Sequence, residues 1–80
     1  MKQYRIMLKG IDAVKSFTNM INNYNIQADL YCESYAVDAQ SILGIFTLNL
    51  TKELELVVRS IHPEKDLDDF EENLIPFIIT

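Results

Sequence analysis

Apolar and polar residues alternate with a period of two in three stretches of the chain, the pattern of a strand with one buried face. The apolar positions are Tyr4, Ile6 and Leu8, then Ile26, Ala28, Leu30 and Cys32, and finally Leu54, Leu56 and Val58. A turn at Glu33 and Ser34 would return the second strand through residues 35–37 as a hairpin. The sequence therefore predicts four strands.

Three other segments repeat their apolar residues every three or four positions, which is typical of helices with one buried face. These positions are Ala13, Val14, Phe17, Met20 and Ile21, then Ile42, Ile45 and Phe46, and finally Leu67, Phe70 and Leu74. Asp12 and Ser41 stand where they could cap the first two helices. Pro76 should end or kink the third helix near Ile75.

The elements thus follow the order β-α-β-β-α-β-α. This order favours an α+β fold, with a four-stranded antiparallel sheet and three helices on one face. Apolar residues make up 49% of the 80 residues and charged residues 24%. This composition supplies a core, so we expect one folded domain spanning residues 1–80.

Charge and cysteine content narrow the functional classes. A net charge of −5 disfavours binding to nucleic acid or to an anionic membrane surface. No apolar run is long enough for a membrane span or a signal peptide, and Cys32 is the only cysteine. We therefore expect a cytoplasmic protein in which Cys32 is a small buried residue.

Candidate catalytic and metal-binding residues are few. His62, the only histidine, directly precedes Pro63 and is expected in a solvated loop. The acids of residues 66–72 lack the central glycine of an EF-hand loop and are expected to form a solvated helix face. The sequence contains no recognisable catalytic triad or dinucleotide motif. We therefore predict a protein that is not an enzyme and holds no metal or cofactor.

One segment carries a family resemblance. It reads Ala39-Gln40-Ser41-Ile42-Leu43-Gly44-Ile45-Phe46-Thr47-Leu48. This is similar to the regulatory-serine segment of the phosphocarrier protein HPr family of the bacterial sugar phosphotransferase system. There the pattern runs lysine, serine, isoleucine or leucine, methionine, glycine, a branched residue, methionine, serine, leucine. The resemblance implies the HPr-like open-faced β-sandwich, with Ser41 at the position of the regulatory serine.

The second family signature is altered. In the family a loop reads glycine, leucine, histidine, any residue, arginine, proline, and its histidine accepts phosphate from phosphoenolpyruvate by way of Enzyme I. This chain has Gly10-Ile11-Asp12-Ala13-Val14-Lys15 there. Asp12 takes the place of the nucleophilic histidine and Val14 that of an arginine that stabilises phosphoryl oxygens. The resemblance thus implies an HPr-like protein without the phosphohistidine.

Several residues then have alternative interpretations. Asp12 is either a helix cap, a carboxylate that accepts phosphate, or a contact for a partner. Ser41 is either a plain cap or also a phosphorylation site. Ile42, Leu43 and Phe46, with Val14 nearby, match positions that present apolar side chains to partners in the family. They form either a protein-binding surface or, for Ile42 and Phe46, part of the core.

Our leading hypothesis is a non-enzymatic HPr-like module that regulates or binds a protein partner, such as a phosphotransferase or regulatory component. The first alternative is a phosphotransfer participant that is phosphorylated on Ser41 or Asp12. The second is a scaffold that binds a small ligand, since a fold does not fix a function.

Overall fold

The computed structural model describes residues 1–79. The four strands are β1 (Lys2–Ile6), β2 (Asn25–Cys32), β3 (Tyr35–Asp38) and β4 (Leu54–His62). The three α-helices are α1 (Ile11–Ile21), α2 (Ile42–Ile45) and α3 (Asp66–Leu74), and a 3₁₀ turn at Ile75–Phe77 follows α3. The order β-α-β-β-α-β-α is the one that the periodicity predicts.

The sheet is antiparallel throughout, with the strand order β1-β4-β2-β3. β4 lies in the middle and pairs with β1 on one side and β2 on the other. The register between β2 and β4 shifts at Gln27 and Ala28, which marks a bulge. The predicted α+β fold with a four-stranded antiparallel sheet is confirmed.

The core lies on one face of this sheet. The alternating apolar positions of β2 and β4 that the sequence marks are buried, as are Ile6 and Leu8. Val14, Phe17 and Ile21 of α1 and Phe70 and Leu74 of α3 join the same apolar cluster. Cys32 also belongs to this cluster, so its expected burial is confirmed.

The end of α3 is set by Pro76, as expected. The helix stops at Leu74 and the chain tightens into the 3₁₀ turn. The segment then returns along the edge of β1, where the N–H of Met7 donates to the carbonyl of Phe77 over 3.0 Å. Phe77 also packs edge-on against Phe17, with the ring centroids 5.5 Å apart.

Two tyrosines hold α3 against the sheet. The Tyr4 hydroxyl donates to Glu71 Oε2 over 2.6 Å, and the Tyr24 hydroxyl donates to Asp69 Oδ2 over 2.6 Å. Both tyrosine rings pack edge-to-face against Phe70, with centroids 6.4 and 5.4 Å away. Each tyrosine therefore joins an apolar contact to a charge-assisted hydrogen bond.

Across residues 1–79, no helix has both the length and the apolar character that a membrane crossing requires.

Candidate functional site

The short helix α2 is fixed at both ends by hydroxyl side chains. Ser41 precedes it in an extended conformation, and its Oγ accepts from the N–H of Gly44 over 3.1 Å. At the other end Thr47 Oγ1 donates to the carbonyl of Gly44 over 2.6 Å. The prediction that Ser41 caps this helix is confirmed.

Gly44 lets α2 lie close to the sheet. A Cβ atom at this position would stand 3.3 Å from the Cβ of Val37 on β3 and 3.1 Å from Ser41 Oγ. Both distances are shorter than ordinary van der Waals contact, so a larger residue would push the helix away from β3. The glycine therefore determines how the residues of α2 are presented.

The apolar residues of α2 divide between the core and the solvent. Ile45 is fully buried, and Ile42 is partly buried against the core. Leu43 is 78% exposed, and Phe46 is 41% exposed. The two sequence interpretations therefore apply to different residues, since Ile42 packs against the core whereas Leu43 and Phe46 face solvent.

Phe46 lines a shallow apolar depression beside the start of α1. The depression has a volume of about 520 Å³. Its lining residues are Met7, Lys9, Gly10, Ile11, Phe46, Leu50 and Thr51. We call it the Phe46 depression. It joins the end of α2 to the turn before α1, two segments that are 35 residues apart.

Ile11 is a site residue that the sequence reasoning missed. Its side chain is 62% exposed and lies at the rim of the depression. The spacing along α1 contains no signal for this exposure, because Ile11 stands three residues before Val14 and so continues the spacing of the buried face. Its exposure follows from its position in the first turn of the helix.

Val14 does not belong to this surface. Its side chain is fully buried and packs in the core with the rest of the inner face of α1. The expectation that Val14 adds to a partner-binding surface is therefore wrong. The helical spacing that places Phe17 and Ile21 in the core places Val14 there too.

Asp12 is not the cap of α1. A helix capped by Asp12 would begin at Ala13, but α1 begins two residues earlier, at Ile11, after Gly10 with φ 95° and ψ 176°, and no side chain caps it. Asp12 therefore lies within the first turn and is exposed. Its charge still suits the positive end of the helix dipole, but the predicted capping bond is absent.

His62 lies at the end of β4 rather than in the expected loop, although its side chain is exposed as predicted. It does not line the Phe46 depression. In the part of the chain that the structure describes, no group of three or more His, Cys, Asp or Glu side chains is placed to hold a metal ion.

Among the solved structures that share this fold, two are described as HPr proteins. One is described as HPr-C-His from Thermoanaerobacter tengcongensis and is 19% identical, with a TM-score of 0.75 over 95% of this chain and 89% of that chain. The other is a phosphocarrier protein HPr from Bacillus anthracis str. Ames, 16% identical, with a TM-score of 0.66 over 90% of this chain and 94% of that one. No protein-family model and no curated protein matches the chain. The fold is therefore HPr-like.

Proposed function

We propose that this protein is a non-enzymatic regulatory module of the phosphotransferase type that binds another protein through the exposed apolar residues of α2. The observation that carries the proposal is the exposure of Phe46 in the apolar Phe46 depression, with the exposed Leu43 three residues before it in the chain. Ile11 extends the same surface onto the start of α1.

The energetics favour a partner that covers these side chains. A single exposed leucine is ordinary, but Ile11 and Phe46 share one depression, and Leu43 lies in α2, of which Phe46 is the C-cap. Burying one large apolar side chain in a complementary pocket stabilises a complex by about 1.5–3 kcal/mol. Because a few such anchors carry most of the affinity in protein complexes, these residues are the ones to test.

The residues at the start of α1 do not support a histidine phosphate relay. Asp12 offers a carboxylate rather than an imidazole, and Val14 is buried where the family resemblance implies an arginine. Lys15 is exposed but carries a point charge without the planar fork of arginine. We therefore assign the protein a binding role rather than phosphate transfer.

The relay is tested directly by incubation with phosphoenolpyruvate and Enzyme I. We expect no phosphoprotein by mass spectrometry, with an HPr that has its histidine as the positive control. Stable labelling of this chain would overturn the assignment.

The binding surface is tested by substitution with matched controls. Ile11 and Ile75 are both 62% exposed, but only Ile11 lines the depression. We expect Ile11→Asp and Phe46→Asp to weaken binding to purified phosphotransferase or regulatory proteins at least tenfold, and Ile75→Asp to leave it unchanged. Equal loss in all three variants, or no loss, would contradict the proposal.

A second candidate function is regulation by phosphorylation of Ser41, favoured by the exposure of that residue at a helix start. A phosphate there would face free backbone N–H groups and would change the charge beside Leu43. Acid-stable phosphate that disappears in Ser41→Ala would support it. Acid-labile, hydroxylamine-sensitive phosphate would instead identify Asp12, and absence of both after treatment with a family-type serine kinase would exclude this function.

The expected setting is the cytoplasm, and the expected partner is a protein. The net charge of −5 favours neither nucleic acid nor an anionic membrane.

A further inference from the structure

Exposed apolar side chains are concentrated around α2. Six large apolar side chains of residues 1–79 are exposed, and four of them lie at this helix or next to it. Leu43 belongs to α2, Phe46 is its C-cap, and Ile11 lines the Phe46 depression with it. Tyr35 Oη lies 3.5 Å from Thr47 Oγ1, one residue beyond the cap. We call Ile11, Tyr35, Leu43 and Phe46 the α2 surface.

The α2 surface carries a projecting side chain beside a depression. Leu43 is 78% exposed, and the Phe46 depression of about 520 Å³ opens next to the end of the helix. Side chains three residues apart on a helix have Cβ atoms about 5–6 Å apart and point roughly 60° apart around the axis. Leu43 and the Phe46 ring therefore face nearly the same side. Two copies can exchange such a pair of features about a twofold axis that passes between them.

The α2 surface also lies in a segment without charge, although the chain is acidic. Residues 39–51, which form α2 and one wall of the depression, contain no charged side chain. Lys9 is the one charged residue among the described residues that line the depression. α3, by contrast, carries five acids. Two copies with a net charge of −5 each therefore repel one another less through the α2 surface than through α3.

The described ends of the chain do not lie at the α2 surface. β1 begins at Lys2 and leads to Met7, which lines the depression about 17 Å further along. The segment after α3 runs back along β1, from Phe77 beside Met7 to Ile79, whose N–H donates to the carbonyl of Arg5 over 3.0 Å. Both ends therefore lead away from this surface.

We propose that two copies of this chain associate through the α2 surface as a weak twofold dimer, in which Leu43 of each copy inserts into the Phe46 depression of the other. A contact built on a four-residue helix and one turn is small, so its dissociation constant is on the order of 0.1–1 mM. The inference rests on the proposed function, because the dimer covers the residues that a partner would bind. Self-association and partner binding therefore exclude each other.

The dimer is tested by sedimentation equilibrium and by ¹H–¹⁵N spectra of the whole chain from about 20 µM to 2 mM. We expect concentration-dependent shifts at residues 9–11 and 43–51 and none in α3. Added salt should strengthen the association, because it screens the repulsion between two acidic copies. A chain that stays monomeric, shifts that lie in α3 instead, or association that weakens with salt would overturn the proposal.

A mixing experiment tests the exchange of Leu43 itself. Leu43→Ala removes the projecting side chain and Ile11→Asp places a charge in the depression, so each variant alone should self-associate at least tenfold more weakly. In a mixture, Leu43 of the Ile11→Asp copy still meets an intact depression on the Leu43→Ala copy, so one of the two contacts returns. Titrating ¹⁵N-labelled Ile11→Asp with unlabelled Leu43→Ala should therefore show binding at least threefold tighter than either variant has for itself.

Ile75→Ala is the control, because Ile75 is 62% exposed and does not belong to the α2 surface. Its self-association should equal that of the wild type. A mixture no tighter than the single variants, or an equal loss in Ile75→Ala, would exclude the exchange and with it the proposal.

The partner-binding test distinguishes this inference from the proposed function. If the chain is monomeric while Phe46→Asp weakens partner binding, the dimer is wrong and the proposed function stands. If the dimer forms with the exchanged Leu43 and the same variant leaves partner binding unchanged, the dimer stands and the proposed function is wrong.

Discussion

α2 and α3 both pack on the same side of the sheet, but their outer faces differ. α3 turns acids to solvent, and two of its polar side chains accept hydrogen bonds from Tyr4 and Tyr24. α2 is four residues long and turns Leu43 towards solvent, with Phe46 at its end. The polar side chains of α3 therefore find partners within the protein, whereas α2 leaves apolar surface uncovered, and this difference is why we propose a binding role for α2 and not for α3.

The largest expected difference is between two phenylalanines. Phe70 is fully buried between Tyr4 and Tyr24, so Phe70→Ala should lower the free energy of unfolding by about 3–5 kcal/mol. That is a large part of the roughly 4–12 kcal/mol expected for a domain of this size. Phe46→Ala should cost only about 1 kcal/mol because the side chain is already 41% exposed.

Urea unfolding followed by circular dichroism measures both variants of this pair. A similar cost for the two would remove the distinction between a structural and a binding helix. Loss of partner binding in Phe46→Ala with retained stability would sharpen it.

The fold was predictable because the strand and helix periods are clear. Leu54, Leu56 and Val58 alternate with polar residues, and Phe70 and Leu74 lie one turn apart. In each case one buried face is enough to set the element and its orientation. The burial of these residues on one side of the sheet follows directly.

The site was predictable only in part because it depends on geometry between distant segments. The sequence could name Leu43 and Phe46, but the contact of Phe46 with the turn before α1 brings together residues that no local pattern connects. The start of α1 was misplaced because aspartate is a good cap, whereas Gly10 takes a backbone conformation that forms the helix start without one.

The turn before α1, which lines the Phe46 depression, is the next part of the proposed binding surface that can be tested. Gly10 has φ 95° and ψ 176°, a region that is essentially restricted to glycine, and a Cβ there would meet no atom within 4 Å. Gly10→Ala should therefore cost about 1–3 kcal/mol through backbone strain alone. Chemical synthesis with D-alanine at position 10 should restore stability, because the D-residue accepts this conformation.

The readout is the urea midpoint together with the chemical shifts of Ile11 and Phe46. Strain limited to the turn should move both shifts and leave those of α3 unchanged. A D-alanine variant as unstable as the L-alanine one would show that space rather than backbone conformation is limiting.

Ser41 tests how far α2 depends on its cap. Ser41→Ala removes the acceptor for the Gly44 N–H and should cost about 1 kcal/mol. Ser41→Asp keeps an acceptor at the cap and should be close to wild type in stability. Hydrogen exchange at Ile45 and Phe46 should quicken in Ser41→Ala while exchange in α3 stays the same. Faster exchange in both helices would mean that α2 also supports the core.

The smallest expected effect on stability comes from the hydrogen bond between Tyr4 and Glu71, which joins β1 to α3. Burial, and then the hydrogen bond to Glu71, raise the pKa of the Tyr4 phenol above its usual value of 10. The folded protein thus keeps this proton to a higher pH than the unfolded chain does. The stabilisation is therefore fully present below pH 10 and is lost as the pH rises beyond it.

Tyr4→Phe should lower the free energy of unfolding by about 1 kcal/mol at pH 8 and make its decline above pH 10 shallower. Glu71→Gln keeps the burial of Tyr4 and removes the charge, so it should lessen the decline without abolishing it. Urea unfolding at pH 8, 9.5 and 11, with tyrosinate absorbance at each pH, measures both variants. If the free energy of unfolding of Tyr4→Phe declines above pH 10 as steeply as that of the wild type, a group other than Tyr4 causes the alkaline sensitivity.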